Sequence, residues 1–181
     1  MNKNVFIYMN PELNIKEYII PEGITAIAGD AFGDCKSLSK LTIPDSVTTI
    51  EGFAFYDCKK LNLEKLPPNL TSIGDDAFVG TGLDSVDIPA GCEVGNGAFA
   101  ACNKLKNMSF QEGVIRIDKL FGWENETLEE ITLPSSIMDI EEGAFRSCKN
   151  LRAINIPTGT RDKFKIMLAS DERAVELLVE K

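Results

Sequence analysis

The sequence contains no histidine. That absence removes the commonest general base, the usual zinc nitrogen ligand, and every nucleophile that depends on a Ser/His/Asp or Cys/His pair. Positive charge is also scarce. Nineteen basic against 28 acidic residues leave a net charge of -9 and a pI near 4.6, which repels phosphate backbones and excludes nucleic acid as a natural partner. No apolar run reaches the length of a membrane-spanning helix, so membrane insertion is not expected. The opening MNKNVFIYMN places only Lys3 ahead of a five-residue apolar patch, too short for a secretory signal, and the chain reads as soluble. Tryptophan occurs once, as Trp123, and cysteine five times, an odd number that leaves at least one thiol unpaired.

What the chain has instead is apolar side chains in strict order. With 44% hydrophobic residues among 181, it can bury one continuous core, and a single structural domain is expected. The apolar positions Ile20, Ile43, Leu66, Ile88, Phe110, Leu133 and Ile156 fall 22 or 23 residues apart, and all but Phe110 precede a proline. Leu38, Leu61, Leu83, Leu105, Leu128 and Leu151 keep the same step, and Phe32, Phe55, Phe78, Phe99 and Phe145, with Phe121 filling the gap, follow at 21 to 24 residues. Registers that agree at a period of about 20 to 50 residues mark stacked units, since one such unit cannot bury its apolar side alone. The chain is therefore expected to be a solenoid of about six units.

Each unit reads physically. In LSKLTIP, Leu38, Leu41 and Ile43 give a bend and then a short period-2 strand that Pro44 ends. Asp45 and Ser46 supply turn chemistry, and Val47 and Ile50 point back inside. In FAFYDC, Phe55 and Cys58 lie three apart, as on one face of a helical turn. Cys35, Cys58, Cys102 and Cys148 each follow a column phenylalanine by three, which makes them small buried residues. All five cysteines are expected to be reduced thiols; Cys58 and Cys102 are two units apart, too far to bridge.

The unit from Ile43 to Leu61, IPDSVTTIEGFAFYDCKKL, resembles the BspA-type, or Treponema-type, leucine-rich repeat in its run of Ile-Pro, Ser-Val, Thr, Ile, Gly, Ala-Phe, Cys and Leu. The match extends from about Tyr18 to Thr160, and INIPTGTRDKF is similar to the family's closing segment. The resemblance implies a right-handed, strand-rich α/β solenoid of 22-23-residue units with short helical turns and a C-terminal helical cap. It also implies non-enzymatic binding, often at a bacterial surface, to host or neighbouring-cell proteins. Residues 1-17 would form the N-terminal cap, 18-160 the solenoid and 161-181 the C-terminal cap.

Three units depart from the pattern. LNLEKLPP puts Glu64 in an apolar column with Leu63 beside it, which predicts a local bulge. AGCEVGNGAF is one residue short and sets Cys92 where the second unit has Val47. The fifth unit loses Pro, Ala and Cys together, predicting a deformed turn.

Both ends need covers. At the C-terminus, Phe164, Met167 and Leu168 share one helical face; after Ser170 as N-cap, Ala174, Val175, Leu178 and Val179 share another, so two short helices are expected. At the N-terminus, Val5 to Met9 is the candidate covering strand.

Candidate partner-binding residues are the outward-pointing row on the main strand, Thr42, Lys65, Asp87, Ser109, Thr132 and Asn155, together with Trp123. The row lacks an aromatic anchor, and much of it also suits a plain solvated surface. Trp123 suits either a binding anchor or a plug for the space that the missing Ala-Phe-Cys leaves. The acids Glu124, Glu126, Glu129, Glu130, Asp139, Glu141 and Glu142 form no calcium-loop motif and read as a charged face. GNGAF at Gly95 matches part of a dinucleotide fingerprint but lacks the flanking strand and helix. Glycosylation sequons begin at Asn69, Asn107 and Asn125. No catalytic residue, metal ligand or cofactor is expected. The favoured reading is an interaction module for a protein or glycan partner, as a monomer; the alternative is a structural, self-assembling repeat.

Overall fold

The computed structural model describes residues 4-181. The first three residues of the predicted N-terminal cap, Lys3 included, lie outside the described residues. Strands recur once per coil in two columns. One column contains β2 (Glu17–Ile19), β4 (Lys40–Thr42), β7 (Ser85–Ile88), β9 (Asn107–Phe110), β11 (Glu130–Thr132), β13 (Ala153–Ile156) and β14 (Leu178–Glu180). The other contains β1 (Val5–Phe6), β3 (Ala26–Ile27), β5 (Thr49–Ile50), β6 (Ser72–Ile73), β8 (Glu93–Val94), β10 (Arg116–Ile117) and β12 (Asp139–Ile140). Strands pair in parallel with the equivalent strand of the next coil, as in Ile131 with Ile154 and Ile50 with Ile73. Stacking one coil on the next satisfies backbone groups and buries the shared leucine, isoleucine and phenylalanine columns together.

There are about eight turns where the sequence motifs count six. The extra coils are the ends. β1 pairs with β3 and starts the second column, as a shorter strand than the five residues expected. At the other end α1 (Arg161–Met167) and α2 (Glu172–Glu176) replace the usual corner, with Asp171 rather than Ser170 capping α2 through the Ala174 N–H. Leu178 and Val179, expected on a helix, instead lie in β14, which pairs with β13. The sheet edge outweighs local helix pattern there, because each added residue satisfies ladder hydrogen bonds that a helix end would leave open.

The corners are not helical. In the second coil the N–H groups of Ala54, Tyr56 and Cys58 bond three residues back, to Glu51, Phe53 and Phe55. Those of Phe53, Phe55 and Asp57 bond along the stack, to Asp75, Ala77 and Val79. Alternate amides thus serve the turn and the next coil, and in each of the first four corners the zigzag uses left-handed backbone at two positions, Phe53 and Asp57 here.

The cysteine column does more than fill space. All five cysteines are free and buried. Cys58 Sγ donates to the Phe32 carbonyl at 3.0 Å and Cys102 Sγ to the Phe78 carbonyl at 3.2 Å, so the thiol satisfies the preceding coil. Of the two polar replacements in the column, Asn125 keeps that role: Nδ2 donates to the Phe99 carbonyl at 2.8 Å, while Oδ1 accepts from the Cys102 N–H at 2.8 Å. Thr81 Oγ1 instead donates to the Phe78 carbonyl of its own coil. Cys92, by contrast, occupies the interior place that Val47 has in the second coil, each bonding its N–H to a proline carbonyl three back.

Candidate functional site

Both strand columns are interrupted, at different coils. In the third coil the first column has no strand: Leu63 turns inside, Glu64 is left outside, and the ladder between β4 and β7 is lost. The predicted bulge is therefore a complete break. Beside it lies a cavity of about 280 Å³ lined by Lys65, Leu66, Val86, Asp87, Ser109 and Thr132 among others. In the other column the break falls between β8 and β10, at the deformed fifth coil. There the Gly97 and Leu120 N–H groups both donate to Asp118 Oδ1 instead of to a ladder carbonyl.

The register keeps Asp87, Ser109, Thr132 and Asn155 side by side, with Thr42 opposite Ile19 at the start and Val179 opposite Asn155 at the end. Thr42, Lys65, Asp87 and Thr132 are exposed and Ser109 is half-buried. Ser109 Oγ and Gln111 Nε2 both donate to the Asp87 carboxylate, at 2.6 and 2.7 Å. Asn155 corrects the expectation of an outward contact: it is 3% exposed, with only long contacts to Glu130 and Thr132. β14 continues the sheet past it, and the last coil encloses a residue that would otherwise have faced solvent.

Trp123 is elsewhere. No residue lines both its groove and the cavity on the row. Nor does it plug the deformed coil, for it is 54% exposed. Phe121 and Asn125 fill the interior instead, both buried. Trp123 forms one side of a groove of about 770 Å³, and Phe53 and Tyr56 contribute two further exposed rings, packed together at 5.8 Å.

Small residues make the floor. Gly80, Gly82, Ala100 and Ala101 stand where the second coil carries larger side chains such as Asp57 and Lys59. A Cβ at Gly82 would sit 2.6 Å from the Lys59 carbonyl oxygen, so only glycine fits there, and the wall is missing for a packing reason. Sequence reasoning passed over Phe53 and Tyr56. The available signal was Phe53, an aromatic in a column that otherwise reads Asp30, Asp76, Gly97, Leu120 and Gly143.

Charge in the groove is mixed. Asp57 pairs with Lys59 at 3.3 Å and with Lys36 at 3.7 Å. Asp76 and Glu124 make no ion pair among the described residues. Burial, then the neighbouring carboxylates of Asp75 and Asp118, push the Asp76 acid above the usual carboxylate range. Several acids of the predicted charged face pair across coils: Glu126 with Lys149, Glu129 with Arg152, and Asp139 and Glu141 with Arg116. Among the described residues, no group of three or more acids and cysteines is placed to hold a metal ion, and no helix is long and apolar enough to cross a membrane. Asn125 is itself fully buried, so that sequon is closed to glycosylation in the folded chain.

The sequence matches the description "BspA type Leucine rich repeat region" in six copies, over residues 11-94 and 71-167. The chain belongs to the BspA-type leucine-rich repeat family. Solved structures share its fold. The pneumococcal vaccine antigen PcpA superposes with a TM-score of 0.82 at 20% identity over 98% of this chain and 44% of that one. A leucine-rich repeat protein of T. pallidum gives 0.68 at 25% identity, over 84% and 70% of the two chains. One from Eubacterium ventriosum gives 0.55 at 24% identity, over 84% and 36%. This BspA-type chain thus spans less than half the length of the PcpA structure. No curated protein matches it significantly by sequence.

Proposed function

We propose that the protein is a non-catalytic interaction module that binds a protein partner through the Trp123 groove, with Thr42, Lys65, Asp87, Ser109 and Thr132 as a separate polar surface. The observation that supports this reading is the grouping of three exposed aromatic residues, Phe53, Tyr56 and Trp123, around a floor of glycine and alanine. Aromatic side chains dominate binding hot spots because they offer large contact area with few rotatable bonds. The stacked coils hold them rigidly, so docking costs little conformational entropy.

The test is an array of immobilised surface and matrix proteins and glycans, probed with wild type and with Trp123→Ala. A protein partner should be captured, and truncating Trp123 should weaken it by at least about 30-fold, the effect of losing roughly 2 kcal/mol at a hot spot. Binding that ignores Trp123 but falls with Lys65→Ala or Thr132→Ala would move the site to the row.

A further inference from the structure

The corner column has left-handed backbone at Asp30, Phe53, Asp76, Gly97 and Gly143, with φ of 56°, 59°, 55°, 63° and 85°, but not at Leu120 in the deformed fifth coil. Glycine adopts that region freely and aspartate tolerates it, whereas a bulky aromatic there is a conformational outlier. Phe53 gains little in return, since its ring is 42% exposed. The second coil therefore carries a strained, solvent-facing phenylalanine where the other left-handed members of the column are aspartate or glycine. Strain of this kind persists where the side chain is needed outside the core.

The next member of the same column, Asp76, lines the groove without an ion-pair partner among the described residues, and so does Glu124. Asp75 and Asp118 add to the negative field at Asp76. Of the two groove lysines, Lys59 is already paired with Asp57, which leaves Lys104. The unpaired balance is negative, beside three aromatic rings.

We infer that the groove receives a lysine or arginine side chain of a partner polypeptide, seated against the aromatic rings with Asp76 and Glu124 as its counter-charge. A cation over an aromatic face is attracted by the ring quadrupole, and a carboxylate in a partly dry site favours the same charge. A neutral sugar could stack on the rings but would leave Asp76 without a counter-ion. This inference rests on the reading of the groove as the binding site.

Trp123, the one tryptophan, is a built-in fluorescent reporter. The probes are acetylated, amidated octapeptides alternating glycine with arginine, with lysine or with glutamate, and a neutral sugar, maltotriose. The arginine and lysine peptides should quench or shift Trp123 emission saturably, more weakly as salt rises, while the glutamate peptide and the sugar should not. Asp76→Asn and Phe53→Asn, both compatible with left-handed backbone, should each weaken the basic peptides about tenfold without lowering Tm. Failure of the basic peptides to saturate, equal binding of maltotriose, or an unchanged affinity in Asp76→Asn overturns the inference. Should an array partner depend on Trp123 yet ignore both the arginine peptide as competitor and Asp76→Asn, the groove reading stands and the cation inference falls. Should Trp123→Ala leave every partner unaffected, both fall.

Discussion

The phenylalanine column has two halves that pack differently. From Phe6 through Phe32, Phe55 and Phe78 to Phe99, centroids are 4.7, 5.2, 4.9 and 5.1 Å apart and no interplanar angle exceeds 20°. Beyond the deformed coil, Phe121 meets Phe145 edge-on at 6.0 Å and 90°, and leans on Phe110 at 5.5 Å and 49°. From Phe32 to Phe145 the rings are buried in both halves, so the core tolerates a change of ring geometry as long as volume is kept. What changes at the join is the surface: the fifth coil fills its interior with Phe121 and Asn125 and leaves Trp123 outside.

The sharpest way to break this comparison is to remove one ring from each half. Phe55 lies between two stacked rings, whereas Phe145 has one edge-on neighbour. Phe55→Ala should cost about 4 kcal/mol. Phe145→Ala should cost about 1 kcal/mol less, the difference reflecting lost ring pairs. Equal losses in urea denaturation would show that the two geometries are energetically the same.

Next in size is the residue that holds the join together. Asn125→Ala strands the Cys102 N–H and the Phe99 carbonyl inside the core, for about 3 kcal/mol. Asn125→Cys restores the column's usual thiol donor toward Phe99 but offers no amide oxygen to Cys102, so roughly half that loss should remain. If Asn125→Cys matches wild type in thermal unfolding, the Asn contributes nothing beyond what the column's cysteines give elsewhere.

The thiols test whether the irregular half opens first. Burial, the leading cause in each case, pushes Cys58, Cys92 and Cys148 up to about 12 and Cys102 to about 11, from an ordinary 9.0. A raised thiol favours the folded state below the unfolded value and loses that contribution as pH climbs toward the folded one. Stability should therefore fall from about pH 9 upward, by at most about 1.4 kcal/mol per thiol per pH unit. With a thiol reagent at neutral pH, Cys102 and Cys148, next to the deformed coil, should react before Cys58. Simultaneous labelling would mean that the stack opens as one unit.

Periodicity made the core legible from the sequence, because apolar residues at a fixed step have one economical place to go. Leu38, Phe55, Val47 and Ile50 are all buried as expected. Failures came where a longer-range constraint overrode the local pattern. Leu178 and Val179 suited a helix until a free sheet edge claimed them, and Asn155 suited a surface until the last coil enclosed it. The polar row was legible in register, since strand alternation fixes which side chains share a face. The groove was not, for it arises from absent side chains at Gly80 and Gly82 and from a ring at Phe53 that no core position required.

That ring gives the smallest expected effect and a change of opposite sign. Phe53 occupies left-handed backbone at φ 59°, and its exposed ring packs on Tyr56. Phe53→Asn should leave stability unchanged or raise it by about 1 kcal/mol, the cost of the left-handed conformation for an ordinary side chain. Asp76→Asn should act in the same direction. Its raised pKa means that folding favours the protonated form, so the native state loses stability as pH rises through that value. Removing the charge should therefore help near neutral pH and change nothing in acid. Thermal scans of both variants at neutral and acid pH decide the point: a lowered Tm at neutral pH would show that these residues support the fold, whereas an equal or higher Tm shows them retained at the expense of stability.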